Sequence, residues 1–233
     1  MWLLHSSIGR KIVMSITGIV LILFLLFHLT MNLTAVFSAD AYNMICAVLK
    51  ANWYVLAATI ILGAMVAIHF FYAVMITLQN KRARGNDRYA VNIRPKGVNW
   101  ASQNMLVLGF VVCGFLFLHL WQFWRKMMFA DLIGLHEVTL NGAPVSTQDG
   151  YAFVSYYFSQ LWVVIAYLAW YISLWLHLTH GFWSSFLTLG WNNHIWQKRW
   201  KWISNIVVTL IILGFAFVTI TFYVRSLCCG TDY

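Results

Sequence analysis

Apolar residues run along this chain in five long stretches, residues 12–37, 53–78, 103–124, 158–189 and 202–223, separated by more polar segments. Each is at least as long as the roughly 20 residues an α-helix needs to cross the hydrocarbon core of a bilayer. The stretches are continuously hydrophobic and do not alternate apolar and polar positions as membrane strands would, so they predict helices and not a barrel. The expected fold is an all-α integral membrane protein of five transmembrane helices, with residues 1–233 as a single transmembrane domain. Arg10 and Lys11 precede the first stretch as they would in a signal peptide. That stretch is longer than an h-region of about 7–15 residues, so it reads as a retained helix. The longest connection, residues 125–157, contains Asn141-Gly142, a turn signal for a small hairpin.

Composition agrees with this pattern. Of the 233 residues, 62% are hydrophobic and only 9% charged, with a mean hydropathy of +0.75, which excludes a soluble globular protein. Four cysteines without CxxC spacing exclude a disulfide scaffold and a cysteine-ligated iron–sulfur cluster. Any chemistry in this chain falls to histidine, aromatic residues or a bound cofactor.

Charge orients the helices. Eleven cations fall on one side: Arg10, Lys11, Lys81, Arg82, Arg84, Arg88, Arg94, Lys96, Lys198, Arg199 and Lys201. Four fall on the other: Lys50, Arg125, Lys126 and Arg225. The positive-inside rule then places the N-terminus in the cytoplasm and the C-terminus outside. Asp40, Asp131, Glu137, Asp149 and Asp232 lie outside and only Asp87 inside. The net charge of +9 therefore marks membrane topology, with either a cytoplasmic docking face or attraction to anionic lipid alone, and is poor evidence for nucleic acid. Trp53, Trp100, Trp124, Trp191, Trp196, Trp200 and Trp202 sit at the expected interfaces as aromatic belts.

Histidine is costly inside a membrane and must find a partner. His5, His136 and His194 fall in terminal or loop positions, whereas His28, His69, His119, His177 and His180 lie in the first four helices. At about 1.5 Å per residue, His28 and His119 lie about 24 Å from the cytoplasmic ends of their helices, and His69 and His177 about 14–18 Å. Depth sorts them into an outer pair, His28 with His119, and an inner pair, His69 with His177. Two histidines level on facing helices are the arrangement that holds a b-type haem by both axial positions, so two pairs predict two stacked haems among the first four helices. Helix contacts through the imidazoles are the bland reading of the same residues. Zinc requires four ligands around one centre, and a proton relay requires intramembrane carboxylates, of which the spans have none. Ser173, Gly181 and Ser184 share the face of His177, where small residues leave room for a flat macrocycle. Spacing alone leaves His177 and His180 both open as ligand, the other being placed for a haem propionate.

The opening Ser6-Ser7-Ile8-Gly9-Arg10-Lys11, the positions of His28, His69 and His119, and the run His177-Leu178-Thr179-His180-Gly181 resemble one family over essentially the whole chain. It is the di-haem cytochrome b membrane subunit of succinate:quinone oxidoreductase and quinol:fumarate reductase, most similar in its b558-type, Bacteroides-like form. The resemblance implies His177 as the ligand through the family's HxxxG pattern, a proximal haem on His69 and His177, and a distal haem on His28 and His119. It further implies two haem b cofactors, menaquinone as substrate, and an iron–sulfur subunit with an FAD flavoprotein docked on the cytoplasmic side of a bacterial inner membrane. A dimer of heterotrimers is the common assembly, and the dicarboxylate chemistry belongs to the flavoprotein. Fumarate reduction is the expected direction. Some members carry a glutamate two positions before the helix IV ligand; here Trp175 stands there, so that proton route is not carried over. Asn32, Asn52, Trp53, Gln122 and Arg125 near the outer interface are the candidates for contact with quinone carbonyls. A nitrate-reductase-like di-haem subunit, with its ligands crowded on two helices, and a haem-free anchor or transporter are the competing readings.

Overall fold

The computed structural model describes residues 6–50, 52–84, 100–191 and 193–229. His5, Asp87, Arg88, Arg94, Lys96 and Asp232 lie outside the described residues, as does most of the expected cytoplasmic loop. The helices are α1 (Ser7–Phe37), α2 (Ala39–Lys50), α3 (Trp53–Arg84), the short α4 (Trp100–Gln103) and α5 (Met105–His119). A π-helical segment, Leu120–Phe129, continues α5 and leads into α6 (Ala130–Leu132). Strands β1 (Glu137–Leu140) and β2 (Ala143–Ser146) follow, then α7 (Gly150–Phe158), α8 (Leu161–Thr188) and α9 (His194–Cys229). Five helical runs are long and apolar enough to span: Ser7–Phe37, Trp53–Ala83, Met105–Leu132, Leu161–Thr188 and His194–Cys228. The protein is therefore an all-α, multi-pass membrane protein with a small two-stranded accessory.

Local chemistry explains several boundaries. Ser6 caps α1, its hydroxyl accepting the Gly9 N–H at 2.9 Å. Asp149 caps α7 by accepting from Ala152 N at 3.0 Å. The span expected over 158–189 starts later, because Ser159 and Gln160 break the chain between α7 and α8 and Gln160 adopts an extended conformation before Leu161. The outer side also holds a helix that hydrophobic periodicity did not separate, α2, which returns from the end of α1. The hairpin forms at the expected place: Glu137 pairs with Ser146 and Leu140 with Ala143, and Asn141 (φ 48°) with Gly142 (φ 85°) supplies the left-handed turn.

α8 lies at the centre, against α9, α1 and α5. Val163, Tyr167, Tyr171, Leu174 and Leu178 on α8 join Ile22 and Leu29 of α1 and Val208, Ile211, Phe215 and Phe222 of α9 in one buried core. The same core continues outward into a cap built from α2, the hairpin and α7 through Tyr42, Leu140, Phe153, Tyr157 and Phe158. Polar ties hold the cap together. Asn43 Nδ2 donates to Asp149 at 2.8 Å while its Oδ1 accepts Tyr151 N at 2.9 Å. The Lys50 ammonium donates to the Thr147 carbonyl and lies 3.9 Å from Asp131. Thr147, fully buried, donates to Asp131 at 3.1 Å. At the same end of the bundle Arg225 donates to the Val36 carbonyl at 2.6 Å, tying the end of α9 to the end of α1.

Gly150 is where α2 and α7 touch. A Cβ there would stand 2.5 Å from Cys46 Sγ, 3.0 Å from Tyr42 Cε1 and 3.3 Å from Met127 Cε. Gly150→Ala is expected to destabilise the protein by about 1–3 kcal/mol through overpacking. Gly114→Ala, with nothing within 4 Å, is expected to be neutral or slightly stabilising. Thermal unfolding of both variants in detergent checks the contrast, and equal melting temperatures would refute it.

Candidate functional site

The apolar bundle brings four imidazoles together in two pairs. His28 of α1 and His119 of α5 face each other with ring centroids 5.8 Å apart and planes 88° to one another. His69 of α3 and His177 of α8 lie 6.5 Å apart with planes at 68°. His180 stays out of both pairs and packs edge-on against Trp183 at 5.2 Å. Among the described residues, no group of three or more His, Cys, Asp or Glu side chains is placed to hold a metal ion.

Contacts between helices give the distance between the pairs. His69 is level with Thr17 and Gly18 of α1, ten or eleven residues before His28. His177 is level with Gly109 of α5, ten residues before His119. His119 is level with Tyr167 of α8, ten residues before His177. At 1.5 Å per residue, all three helices separate the pairs by about 15 Å. The bundle thus has two separate levels.

The outer level is walled by aromatic rings. Phe24 stacks on His28 at 5.4 Å, and Phe215 lies 5.9 Å from it. Phe123 and Trp170 lie 5.2 and 5.9 Å from His119. His119 Nδ1 meets the Tyr167 hydroxyl at 3.3 Å, and that hydroxyl donates to Gln122 Oε1 at 2.9 Å. Gln122 is buried, 3% exposed, and it belongs to the π-helical segment that begins immediately after His119. Such segments are rare and recur at functional sites. The sequence pattern, apolar up to Trp124 apart from Gln122 and then basic at Arg125 and Lys126, carries no sign of it.

The inner level is less crowded. His69 Nδ1 lies 3.1 Å from the Thr17 hydroxyl, which has the carbonyls of Val13 and Met14 at 2.9 and 3.0 Å as its own acceptors. A Cβ at Gly18 would stand 3.3 Å from His69 Cε1, and one at Gly109 would stand 3.7 Å from His177 Cε1. Glycine thus lets the His69 ring approach α1 closely, and His177 packs on α5 at Gly109 in ordinary contact. These two glycines sit on the helices that face the histidines, where periodicity along the ligand's own helix does not point. Of the small residues expected around His177, Ser173 bonds the Ala169 carbonyl at 3.2 Å, and a Cβ on Gly181 would meet only Met105 Cε, at 3.9 Å. His177 Nδ1 is buried without a hydrogen-bond partner.

The remaining candidates are dispersed. Asn32 donates to the His28 carbonyl at 2.7 Å and accepts from Tyr42 at 3.2 Å, so it faces inward one turn from the outer pair. Arg125 is exposed and stacks on Trp121 at 4.0 Å. Asn52 bonds the Val48 carbonyl, and Trp53 is 81% exposed at the start of α3. Asn32 and Gln122 thus lie inside near the outer pair, while Asn52, Trp53 and Arg125 lie on the surface. Trp175 is half turned outward and donates to Thr209 at 2.9 Å.

The donor set fits a metallocentre with two axial imidazoles. Two nitrogens, each bound at about 2 Å with ring centres about 1 Å further out, put the centroids about 6 Å apart. Both pairs stand near that separation, and His177 Nδ1 is buried with no hydrogen-bond partner that would account for its place. This geometry carries the functional argument unaided, because no family model matches the chain and no curated protein or solved structure does either.

Proposed function

We propose that this chain is the membrane anchor and di-haem electron-transfer subunit of a succinate:quinone oxidoreductase or quinol:fumarate reductase in the bacterial inner membrane. The observation that carries the reading is the pair of facing imidazoles at each of two levels about 15 Å apart in one bundle. His69 and His177 are the proximal ligands, and His28 and His119 the distal ones. A haem b bound in each pair supplies a one-electron carrier whose potential the protein tunes.

The chain's own residues do the positioning. α1 contributes His28 to the outer level and Thr17 and Gly18 to the inner one, so one rigid helix sets the spacing. α8 does the same with Tyr167 and His177. The aromatic wall keeps water from the outer level. Lys198, Arg199 and Lys201 at the start of α9 face the side where the iron–sulfur and flavoprotein subunits dock. His180, close to Trp183 and with Lys201 over the same ring at 4.5 Å, is placed at the inner rim for a propionate. Menaquinone is the substrate on the outer side, where Asn32 and Gln122 approach the distal pair and Asn52, Trp53 and Arg125 line the interface. Two complexes associate as a dimer in this reading.

A dithionite-reduced minus oxidised spectrum with a pyridine haemochrome assay on the purified chain is expected to give two b-type haems per polypeptide. None would return the histidines to polar helix contacts and make a haem-free anchor or transporter the better reading. His119→Ala is expected to lose one haem and keep insertion and the other haem, whereas His180→Ala keeps both; two haems in His119→Ala would reject the pairing. Gly18→Leu, which fills the space beside His69, is expected to lower haem content at the inner pair alone. The remaining spectrum in that variant should match the one that His69→Ala leaves.

A further inference from the structure

Tyr167 and Gln122 form a buried two-member chain ending on His119. Tyrosine has one hydroxyl proton. That proton goes to Gln122 Oε1 at 2.9 Å, an oxygen that can only accept. Toward His119 Nδ1, at 3.3 Å, the same phenolic oxygen is therefore left as an acceptor. The imidazole must carry its proton on Nδ1 to complete the bond, which leaves the Nε2 lone pair free. Tyr167 and Gln122 are 3% exposed each, so water does not compete for either group. Gln122 reaches this position from the π-helical segment, whose wider turn begins with Leu120 directly after His119.

We propose that Gln122, acting through Tyr167, is a positioning residue that locks His119 as its Nδ1–H tautomer and so presets Nε2 as the ligating nitrogen of the outer pair. Its role in ligation rests on the di-haem reading, but the tautomer itself does not. A histidine whose distal N–H is donated to a fixed acceptor is a stronger base at its other nitrogen and is held in one orientation. Removing the acceptor weakens the site and stabilises the oxidised metal less, so its potential rises. Gln122→Leu goes further than removal: it frees the Tyr167 proton to turn toward Nδ1, which favours the Nε2–H tautomer and blocks the ligating nitrogen.

Two measurements on the full chain test this. In the haem-free chain labelled with 15N on histidine, the His119 resonances, identified by their loss in His119→Ala, are expected to report Nδ1–H. They should switch toward Nε2–H in Gln122→Leu and stay in place in Gln122→Glu, whose carboxylate still accepts. A wild-type Nε2–H tautomer, or no change in Gln122→Leu, overturns the proposal. In the haem-loaded chain, Tyr167→Phe is expected to raise one of two midpoint potentials, that of the haem lost in His119→Ala, and leave the other unchanged. Gln122→Leu is expected to weaken retention of the same haem about 10- to 100-fold. Tyr171→Phe removes an equally buried hydroxyl that bonds Thr219 at 2.9 Å and touches no histidine, so it should move neither potential. Two unchanged potentials in Tyr167→Phe with both haems retained overturn the proposal. A wild-type chain without haem overturns the di-haem reading instead, and the 15N spectra still decide the tautomer.

Discussion

A polar side chain in the hydrocarbon region has no water to fall back on, and the arrangement of this bundle follows from that constraint. The helices satisfy their own backbone, so the groups left to be satisfied are side chains, chiefly the imidazoles on α1, α3, α5 and α8. The serine and threonine hydroxyls turn back onto the carbonyl one turn away, as Thr59 does to Val55 and Thr179 to Trp175, both at 2.8 Å. Two of the imidazoles, His69 and His119, meet a hydroxyl on another helix, and these contacts mark which helices are neighbours and at what height. α1 meets α3 where Thr17 meets His69, and α5 meets α8 where His119 meets Tyr167.

Much of this geometry was legible because a membrane helix is a ruler. All four spans cross the same slab at the same rise per residue, so counting from the cation-rich ends gives depth directly. That count sorts His28 with His119 and His69 with His177, and the same two pairs face each other in the fold. What depth does not give is rotation about the helix axis. Gly18 and Gly109 lie beside the inner rings only because α1 and α5 turn those positions toward α3 and α8. The hairpin was legible for another reason, since Asn141-Gly142 encodes its own turn. The α2 helix was not, because its stretch is short and the preceding span masks its start. The break at Ser159-Gln160 is two polar residues between apolar, aromatic neighbours at the edge of the expected span, too short an interruption for hydrophobicity to mark.

The two ends of the molecule differ in kind. The outer end is closed by a cap with its own polar ties, Asn43 to Asp149 and Lys50 to Thr147, and its own buried residues, Leu140 and Phe153. The cap is continuous with the outer histidine level: Tyr157 lies 5.1 Å from Phe123, and Phe158 lies 5.1 Å from Tyr167. Tyr157 itself is pushed up to about 12 by burial, so its hydroxyl stays neutral above the site. At the inner end, Phe186 stacks on Trp200 at 4.0 Å and Lys201 lies over Trp183, with cations projecting beyond the apolar layer. One end is thus a closure whose acids and bases lie together, as Lys50 and Asp131 do at 3.9 Å, and the other is a rim whose charged residues are all basic among the described residues.

The π-helical segment connects these features. A run of i→i+5 bonds places more residues in each turn than an α-helix does, so side chains after His119 are displaced around the axis relative to an α-helical continuation. Phe123 packs on His119 while Gln122, its neighbour in sequence, reaches Tyr167. One segment therefore supplies both an apolar wall for the ring and the polar end of its hydrogen-bond chain. At the inner level no such distortion occurs, and there Thr17 bonds His69 while His177 Nδ1 has no partner. The two levels are built from the same pair of residue types but differ in what fixes them. The outer is held by a distorted helix and a buried hydrogen-bond chain, the inner by a hydroxyl and two glycines on which the rings pack. Two chemically equal imidazole pairs thus sit in unequal surroundings, and surroundings are the means by which a protein sets apart two otherwise identical centres.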